Sequence, residues 1–99
     1  GAMGLVSGGA HIFGHEIRAI FKAFAEGDNQ RAKELFVPIY RFCKSTGQNG
    51  RILPNSILRP AIELVTGIHL GPARSPLAPA TEEEMAVTTA ILREIGKLN

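Results

Sequence analysis

Residues 14–32 read GHEIRAIFKAFAEGDNQRA, and this stretch decides the fold. Its apolar side chains recur at intervals of three and four residues, which places them on one stripe of an amphipathic helix: Ile17, Ile20, Phe21 and Phe24. Gly27 follows the last of them, where a helix end often needs positive φ, and Asp28 can cap the next helix by accepting a backbone N–H. The stretch therefore predicts a helix from about Gly14 and a tight corner at Gly27–Asp28.

A second helix is predicted over residues 29–46. Pro38 falls inside it and removes one backbone hydrogen bond, so we expect a kink between Glu34 and Pro38 rather than a break. The expected buried stripe of this helix consists of Ala32, Leu35, Phe36, Ile39, Tyr40 and Cys43.

A third helix is expected from Leu58 or Arg59 to Thr66, because Pro60 fits a first turn and Gly67 can end a helix. Residues 71–79 contain three prolines and are predicted to be extended and irregular.

The last helix starts at a capping box, in which the hydroxyl of Thr81 can accept the N–H of Glu84 and the carboxylate of Glu84 can reach back. Its expected inward stripe consists of Met85, Thr88, Ile91, Leu92 and Ile95. Residues 5–10 are too short for a helix and fit one buried strand or a loop. The predicted fold is mainly α, with four amphipathic helices after one short N-terminal segment.

The composition excludes several classes of protein and partner. The 99 residues suffice for one small domain, and 44% hydrophobic and 20% charged residues are ordinary for a globular chain. A net charge of +2 gives no support for a nucleic-acid or anionic-membrane partner, and no apolar run is long enough to span a bilayer. The single cysteine, Cys43, excludes an internal disulfide and favours a cytoplasmic location. Residues 1–3 are interpreted as the remnant of a cleaved purification tag.

Residue chemistry predicts no self-sufficient active site and no metal or cofactor. His11 and His15 have helical spacing but no acidic partner in an H-E-x-x-H arrangement, and His69 stands alone. Cys43 is interpreted as an inert core residue. A nucleophilic lysine must be desolvated to react at neutral pH, whereas all four lysines are expected on solvent faces or at helix C-termini: Lys22, Lys33, Lys44 and Lys97.

Four motifs, in order along the chain, resemble one enzyme family. G-L-V-S at residues 4–7, followed by A-H-I-F-G and E-I at residues 10–17, resembles the last barrel strand and helix of the dihydrodipicolinate synthase/N-acetylneuraminate lyase family. Residues 21–32 resemble its A-F-x-x-G-[DN] corner, Asn55 and Ile57 its N-P-x-P-V-K stretch, and residues 74–81 its R-L-P-[LM]-x-P segment. Two places depart from the pattern. Gly8-Gly9 replace a β-branched and a small residue, and Leu58-Arg59-Pro60 replace P-V-K.

The resemblance implies a (β/α)8 barrel of which this chain is the C-terminal fragment, with residues 4–27 as the last strand and helix and residues 28–99 as the C-terminal helical domain. It implies a Schiff-base lyase that binds pyruvate and joins it to aspartate semialdehyde in lysine biosynthesis. Sialic-acid and sugar-acid aldolases of the same family are the alternative. In the family, the Schiff-base lysine, a proton-relaying tyrosine and a G-T-T-like run lie on segments upstream of Gly4.

One position of the family's site carries over. Val6 aligns with an isoleucine whose backbone carbonyl lines the pyruvate pocket, and it is equally a β-branched core residue of a strand. The fragment is expected to be inactive by itself. A second hypothesis is a self-associating helical module, because residues 4–10 would be a strand without a partner and the first helix would lose the barrel. It predicts a homo-oligomer, or repacking of residues 4–13 away from strand conformation.

Overall fold

A computed structural model describes residues 1–99, which form four α-helices and no strand. The helices are α1 (Ala10–Ala25), α2 (Asn29–Ser45), α3 (Asn55–Thr66) and α4 (Glu82–Glu94), with a short 3₁₀ turn at Gln48–Gly50. Helices α1 and α2 form a hairpin, α3 packs against α1, and α4 packs against both α2 and α3. The predicted mainly α fold is confirmed. None of the four helices has the length and apolarity needed to cross a membrane.

The corner between α1 and α2 is built as predicted. Gly27 has φ +80°, which side chains other than glycine rarely tolerate, and the carboxylate of Asp28 accepts the N–H of Arg31 at 3.0 Å. Deeper in the hairpin the rings of Phe13 and Phe42 meet with their centroids 5.4 Å apart. The corner therefore sets the register at which the two aromatic side chains pack together.

The core is small and draws on all four helices. It contains Ile12, Phe13, Ile39, Phe42, Ala61, Ile62 and Leu92. The predicted inward stripe of α4 is confirmed, since Thr88 and Leu92 are fully buried and Met85, Ile91 and Ile95 are half-buried. Because α1 contributes Ile12 and Phe13 to this cluster, one core spans residues on both sides of the predicted boundary at residues 27 and 28.

Helix α2 continues through Pro38 without a break, but its buried face is rotated from the predicted stripe. Ile39 and Phe42 are buried, whereas Phe36, Tyr40 and Cys43 are exposed. The prediction that Cys43 is a core residue is therefore wrong. Packing against α1 determines which side of α2 is buried. The rings of Phe36 and Tyr40 are not part of that buried side and pack on each other.

Two helices begin earlier than predicted. α1 starts at Ala10 rather than near Gly14, with non-helical dihedrals at Phe13 (φ −116°, ψ 23°). α3 starts at Asn55 with Pro54 at its N-cap, rather than at Leu58 or Arg59. Pro60 is consequently an interior residue of α3, where it has no N–H to offer to the carbonyl of the residue four positions earlier.

Residues 5–10 do not form the strand that was one of their two predicted interpretations. Residues 1–7 have no regular structure, Gly8 and Gly9 form a turn, and Ala10 already belongs to α1. Leu5 and Val6 are exposed. A strand needs a neighbouring strand to pair its backbone groups, and this chain contains none, so the loop interpretation holds.

The Phe13–Phe42 contact predicts a large difference between two phenylalanines of one helix. Phe42→Ala removes a side chain that is only 1% exposed and should reduce the free energy of unfolding by about 3–5 kcal/mol. Phe36→Ala changes a side chain that is 51% exposed and should cost about 0.5 kcal/mol or less. Urea unfolding followed by circular dichroism measures both, with Phe42→Leu as a milder variant if Phe42→Ala does not fold. Equal losses for the two alanine variants would contradict the described core.

Candidate functional site

Two cavities meet where the N-terminal segment reaches the helices. The first, here called the Cys43 cavity, has a volume of about 410 Å³ and lies among the N-terminal turn, the end of α2 and the start of α3. The second, here called the Arg59 cavity, has a volume of about 550 Å³ and lies between the start of α1 and α3. Gly8 and Leu58 line both cavities. These two residues therefore form the partition between the cavities.

The partition brings together the two places where the sequence departs from the family pattern. A Cβ atom on Gly8 would lie 3.2 Å from Cδ2 of Leu58, which is closer than most such contacts. Gly8 thus makes room for the leucine that replaces a proline of the pattern. Arg59, another residue of the second departure, lines the adjoining cavity. Each departure is visible separately in the sequence, but only the fold brings the two into contact.

A buried ion pair fixes the wall of the Cys43 cavity. Glu84 is 2% exposed, and both of its carboxylate oxygens accept from Nε of Arg51 at 3.0 Å. Arg51 also donates to the backbone carbonyls of Ala78 and Pro79, at 3.0 and 2.9 Å. Arg51 therefore joins three parts of the chain: the loop after α2, the proline-rich segment at residues 71–79 and α4.

The predicted capping box is confirmed and forms part of the same network. The hydroxyl of Thr81 accepts the N–H of Glu84 at 3.1 Å, and the Glu84 carboxylate accepts the N–H of Thr81 at 3.1 Å. Asn49 donates to the same carboxylate at 2.8 Å. Hydrogen bonds from Arg51 and Asn49 lower the pKa of Glu84 to about 2 and outweigh the opposing effect of burial.

Cys43 lies in the wall of its cavity, and the structure provides nothing to activate it. Desolvation raises the pKa of its thiol, which keeps the sulfur protonated near neutral pH. The cavity contains no histidine or carboxylate that could act as a base, and its charged group, Arg51, is committed to Glu84. The interpretation of Cys43 as an unreactive thiol stays a prediction, and its predicted burial is wrong.

The lysines line none of the four principal cavities. Lys22, Lys33 and Lys44 are exposed. Lys97 is half-buried, where its ammonium bonds to Glu16 and lies 5.3 Å from the centroid of the Phe13 ring. Burial tends to raise the pKa of Glu16, but the hydrogen bond and charge of Lys97 lower it overall. Lys97 thus links the C-terminal end of the chain to α1 in a structural contact.

The three histidines have different surroundings. His11 and His15 are both exposed, and His11 also lines the Arg59 cavity. His69 pairs with Glu63 at 3.3 Å, and Glu63 also accepts the N–H groups of Leu70 and Gly71. No group of three or more histidine, cysteine, aspartate or glutamate side chains is arranged to hold a metal ion.

Val6, the position aligned with the pyruvate pocket, lies outside both cavities with its side chain fully exposed. It is two residues before the Gly8 partition. That the backbone carbonyl of Val6 lines the pyruvate pocket stays a prediction. It applies to a chain in which residues 4–7 pair with neighbouring strands.

An irregular N-terminal segment followed by a helical hairpin and two further helices is the arrangement expected for the C-terminal fragment of a barrel enzyme. The chain belongs to the dihydrodipicolinate synthetase family, whose sequence profile matches residues 1–95. Its backbone is similar to dihydrodipicolinate synthase DapA-2 from Bacillus anthracis, with a TM-score of 0.82 and 30% identity over 94% of this chain and 30% of that one. The recognised family resemblance is therefore confirmed.

Sequence relatives agree. The chain is 34% identical to 4-hydroxy-tetrahydrodipicolinate synthase of Symbiobacterium thermophilum, covering 99% of this chain and 32% of the relative. It is 33% identical to the enzyme of the same name from Moorella thermoacetica, with the same two coverages of 99% and 32%. It is 30% identical to a DapA-like lyase of Pyrobaculum arsenaticum, covering 97% of this chain and 34% of the relative. The chain spans about a third of the length of these relatives.

The Glu84 network predicts a specific dependence of stability on pH. The pKa of Glu84 is about 2 in the folded chain against an ordinary value of 4.5, so its contribution is complete above pH 4.5 and is lost as pH falls towards 2. Glu84→Gln should lower Tm at pH 7, and this difference from the parent chain should shrink as pH falls through that window.

Thermal unfolding at a series of pH values measures this, with Glu83→Gln as the control. Glu83 is in the same first turn of α4 but is exposed, so its variant alters only the interaction with the helix dipole. If Glu84→Gln and Glu83→Gln gave the same Tm at every pH, the role assigned to the buried carboxylate would be wrong.

Proposed function

We propose that this chain is the closing portion of a Schiff-base-forming pyruvate lyase, with 4-hydroxy-tetrahydrodipicolinate synthase as the parent enzyme. Such an enzyme condenses pyruvate with aspartate semialdehyde on the route to lysine. The observation that carries the proposal is the family match over residues 1–95, together with relatives of that name that align along 99% of this chain.

In this proposal the chain contributes residues that border the active site of the parent enzyme, and none of the groups that react. A Schiff-base lysine must be desolvated in a pocket to lose its proton near neutral pH, and no lysine of this chain lines any of the four principal cavities. The catalytic lysine and tyrosine would be supplied by the upstream barrel strands that the resemblance implies. Residues 4–7 would pair with those strands, and the backbone carbonyl of Val6 would then border bound pyruvate.

The departures from the family pattern leave open the choice of parent, and the alternative is a sialic-acid or sugar-acid aldolase of the same family. Gly8 and Leu58 meet at the partition between two cavities, so both changes alter the same surface. If that surface borders the acceptor aldehyde, its reshaping suits a substrate other than aspartate semialdehyde, such as a sialic acid or sugar acid. The single cysteine and the biosynthetic class of the relatives support a cytoplasmic location for either parent.

A second role is self-association, which the exposed apolar side chains support. Val6 and Phe24 are 103% and 70% exposed, and both lie in the segment and helix that would pack on a barrel. Apolar surface of this kind is usually covered in a stable protein. A second copy of the chain would cover it when upstream strands are lacking.

The inactivity of the chain is testable by trapping. Incubation with pyruvate and borohydride should leave the chain at its unmodified mass, whereas a full-length family member treated in parallel should gain one reduced pyruvate. Intact-mass spectrometry and peptide mapping measure this. An adduct on Lys22, Lys33, Lys44 or Lys97 would contradict the assignment of the chemistry to upstream residues.

Self-association predicts a concentration-dependent mass in light scattering coupled to gel filtration. Phe24→Ser should shift the chain towards monomer, because it replaces a side chain that is 70% exposed near the end of α1. Val87→Ser, on the exposed side of α4, serves as the matched control and should leave the mass unchanged. A chain that is monomeric at every concentration would eliminate this role.

A further inference from the structure

The turn after α2 contains an asparagine that is followed directly by a glycine. Asn49 and Gly50 are the last two residues of the 3₁₀ turn, whereas Asn29 and Asn55 are followed by a glutamine and a serine. In an Asn-Gly pair no side chain shields the glycine nitrogen, and the backbone between the two residues rotates easily. The Gly50 nitrogen can therefore reach the carboxamide of Asn49 more readily than the next nitrogen can reach those of Asn29 and Asn55.

The local structure leaves this pair open to solvent. Asn49 and Gly50 are both exposed, and a Cβ atom built on Gly50 would meet nothing within 4 Å. Asn49 has φ +56° and is the only residue other than glycine with positive φ, a conformation that a Cβ atom disfavours. Gly50 also has positive φ, at +72°. The peptide bond between the two residues thus has room to rearrange and backbone strain to relieve.

The side chain of Asn49 is part of the buried network around Glu84. Its Nδ2 donates to Oε1 of Glu84 at 2.8 Å, and the same oxygen accepts from Nε of Arg51. The other two nitrogens of Arg51 donate to the carbonyls of Ala78 and Pro79. Every nitrogen of this guanidinium is therefore engaged, and Arg51 has none free for a second carboxylate.

We propose that Asn49 is a site of spontaneous deamidation whose product weakens the attachment of α4. The backbone nitrogen of Gly50 attacks Cγ of Asn49 and loses its proton to solvent, and ammonia leaves from Cγ to give a five-membered succinimide. Water then adds to one of the two ring carbonyls and opens the ring to aspartate or isoaspartate. The net reaction consumes one water and releases one ammonia, and it requires no oxidant or reductant.

The product has a specific effect because of where Asn49 lies. A carboxylate at position 49 loses the donor that now contacts Glu84 at 2.8 Å and places a second negative charge beside it. Isoaspartate also adds one carbon to the backbone of a turn that has positive φ at two consecutive residues. Glu84 accepts the N–H of Thr81 as well, so its displacement loosens the start of α4. All of these residues lie in this chain, and the inference does not depend on the proposed lyase function.

Ageing the folded chain in mildly alkaline buffer tests the site of modification. Trypsin separates three of the asparagines into fragments 23–31, 45–51 and 52–74, which contain Asn29, Asn49 and Asn55. The Asn49 fragment should gain a single mass unit, and separate into aspartate and isoaspartate forms, at least about tenfold faster than the Asn29 fragment. Conversion of Asn49 that is no faster than that of Asn29 or Asn55 would overturn the proposal.

Asn49→Asp tests the effect of the product, since aspartate tolerates positive φ much as asparagine does. It should lower Tm at pH 7 by about 4 °C or more, through loss of a donor and repulsion from Glu84. This loss should shrink towards pH 4, because an aspartate beside a second carboxylate takes up a proton more readily and Arg51 is already engaged.

Asn29→Asp is the matched control. It adds the same charge at an exposed residue in the first turn of α2, where the helix dipole favours an acid, and should leave Tm unchanged or raise it. Equal Tm values for Asn49→Asp and Asn29→Asp at pH 7 would overturn the effect assigned to the product. If Asn49→Asp does not fold, hydrogen exchange of the aged chain replaces it. Residues 82–94 must then exchange faster in the deamidated fraction than in the unmodified one, and equal exchange would overturn the proposal.

Discussion

The carboxylate of Glu84 is the contact on which the tertiary arrangement depends. It accepts the N–H of Thr81 at the start of α4 and hydrogen bonds from the side chains of Arg51 and Asn49 in the loop after α2. Arg51 in turn holds the carbonyls of Ala78 and Pro79. A buried charge is tolerated only when it is paired and hydrogen-bonded, so these partners must all be in place together. One side chain therefore makes the placement of the proline-rich segment and of the last helix interdependent.

The sequence was sufficient to predict features that depend only on residues close together along the chain. The corner at Gly27–Asp28 and the capping box at Thr81–Glu84 involve residues within three positions of each other, and both have the predicted geometry. Helix starts at Ala10 and Asn55 were missed because Gly9 and Pro54 provide no side-chain cap that a sequence would reveal. Cys43 was misplaced because the orientation of α2 is chosen by packing against α1, which periodicity alone does not specify.

The candidate site was predictable only in pieces. Gly8 and Leu58 are separately visible as departures from a family pattern, but they are fifty positions apart, and only the fold places them in contact. Likewise, Arg59 reads in sequence as an ordinary helical arginine. Its unpaired charge becomes evident once its hydrogen bonds are seen to end on the carbonyls of Leu70 and Gly71 rather than on an acid.

The distribution of apolar residues connects the fold to the family. Only 14 of the 99 residues are buried, although 44% of the residues are hydrophobic. Small domains bury a smaller fraction of their surface, but Val6, Phe24 and Ile52 are as much as 103%, 70% and 94% exposed. Two of these three lie in the region that resembles the last strand and helix of a barrel. The four helices share one core that includes Phe13 and Phe42, whereas the backbone groups of residues 4–7, apart from the Ser7 carbonyl, have no partner within this chain. The chain therefore combines a four-helix core with an N-terminal segment whose sequence is suited to packing against further residues.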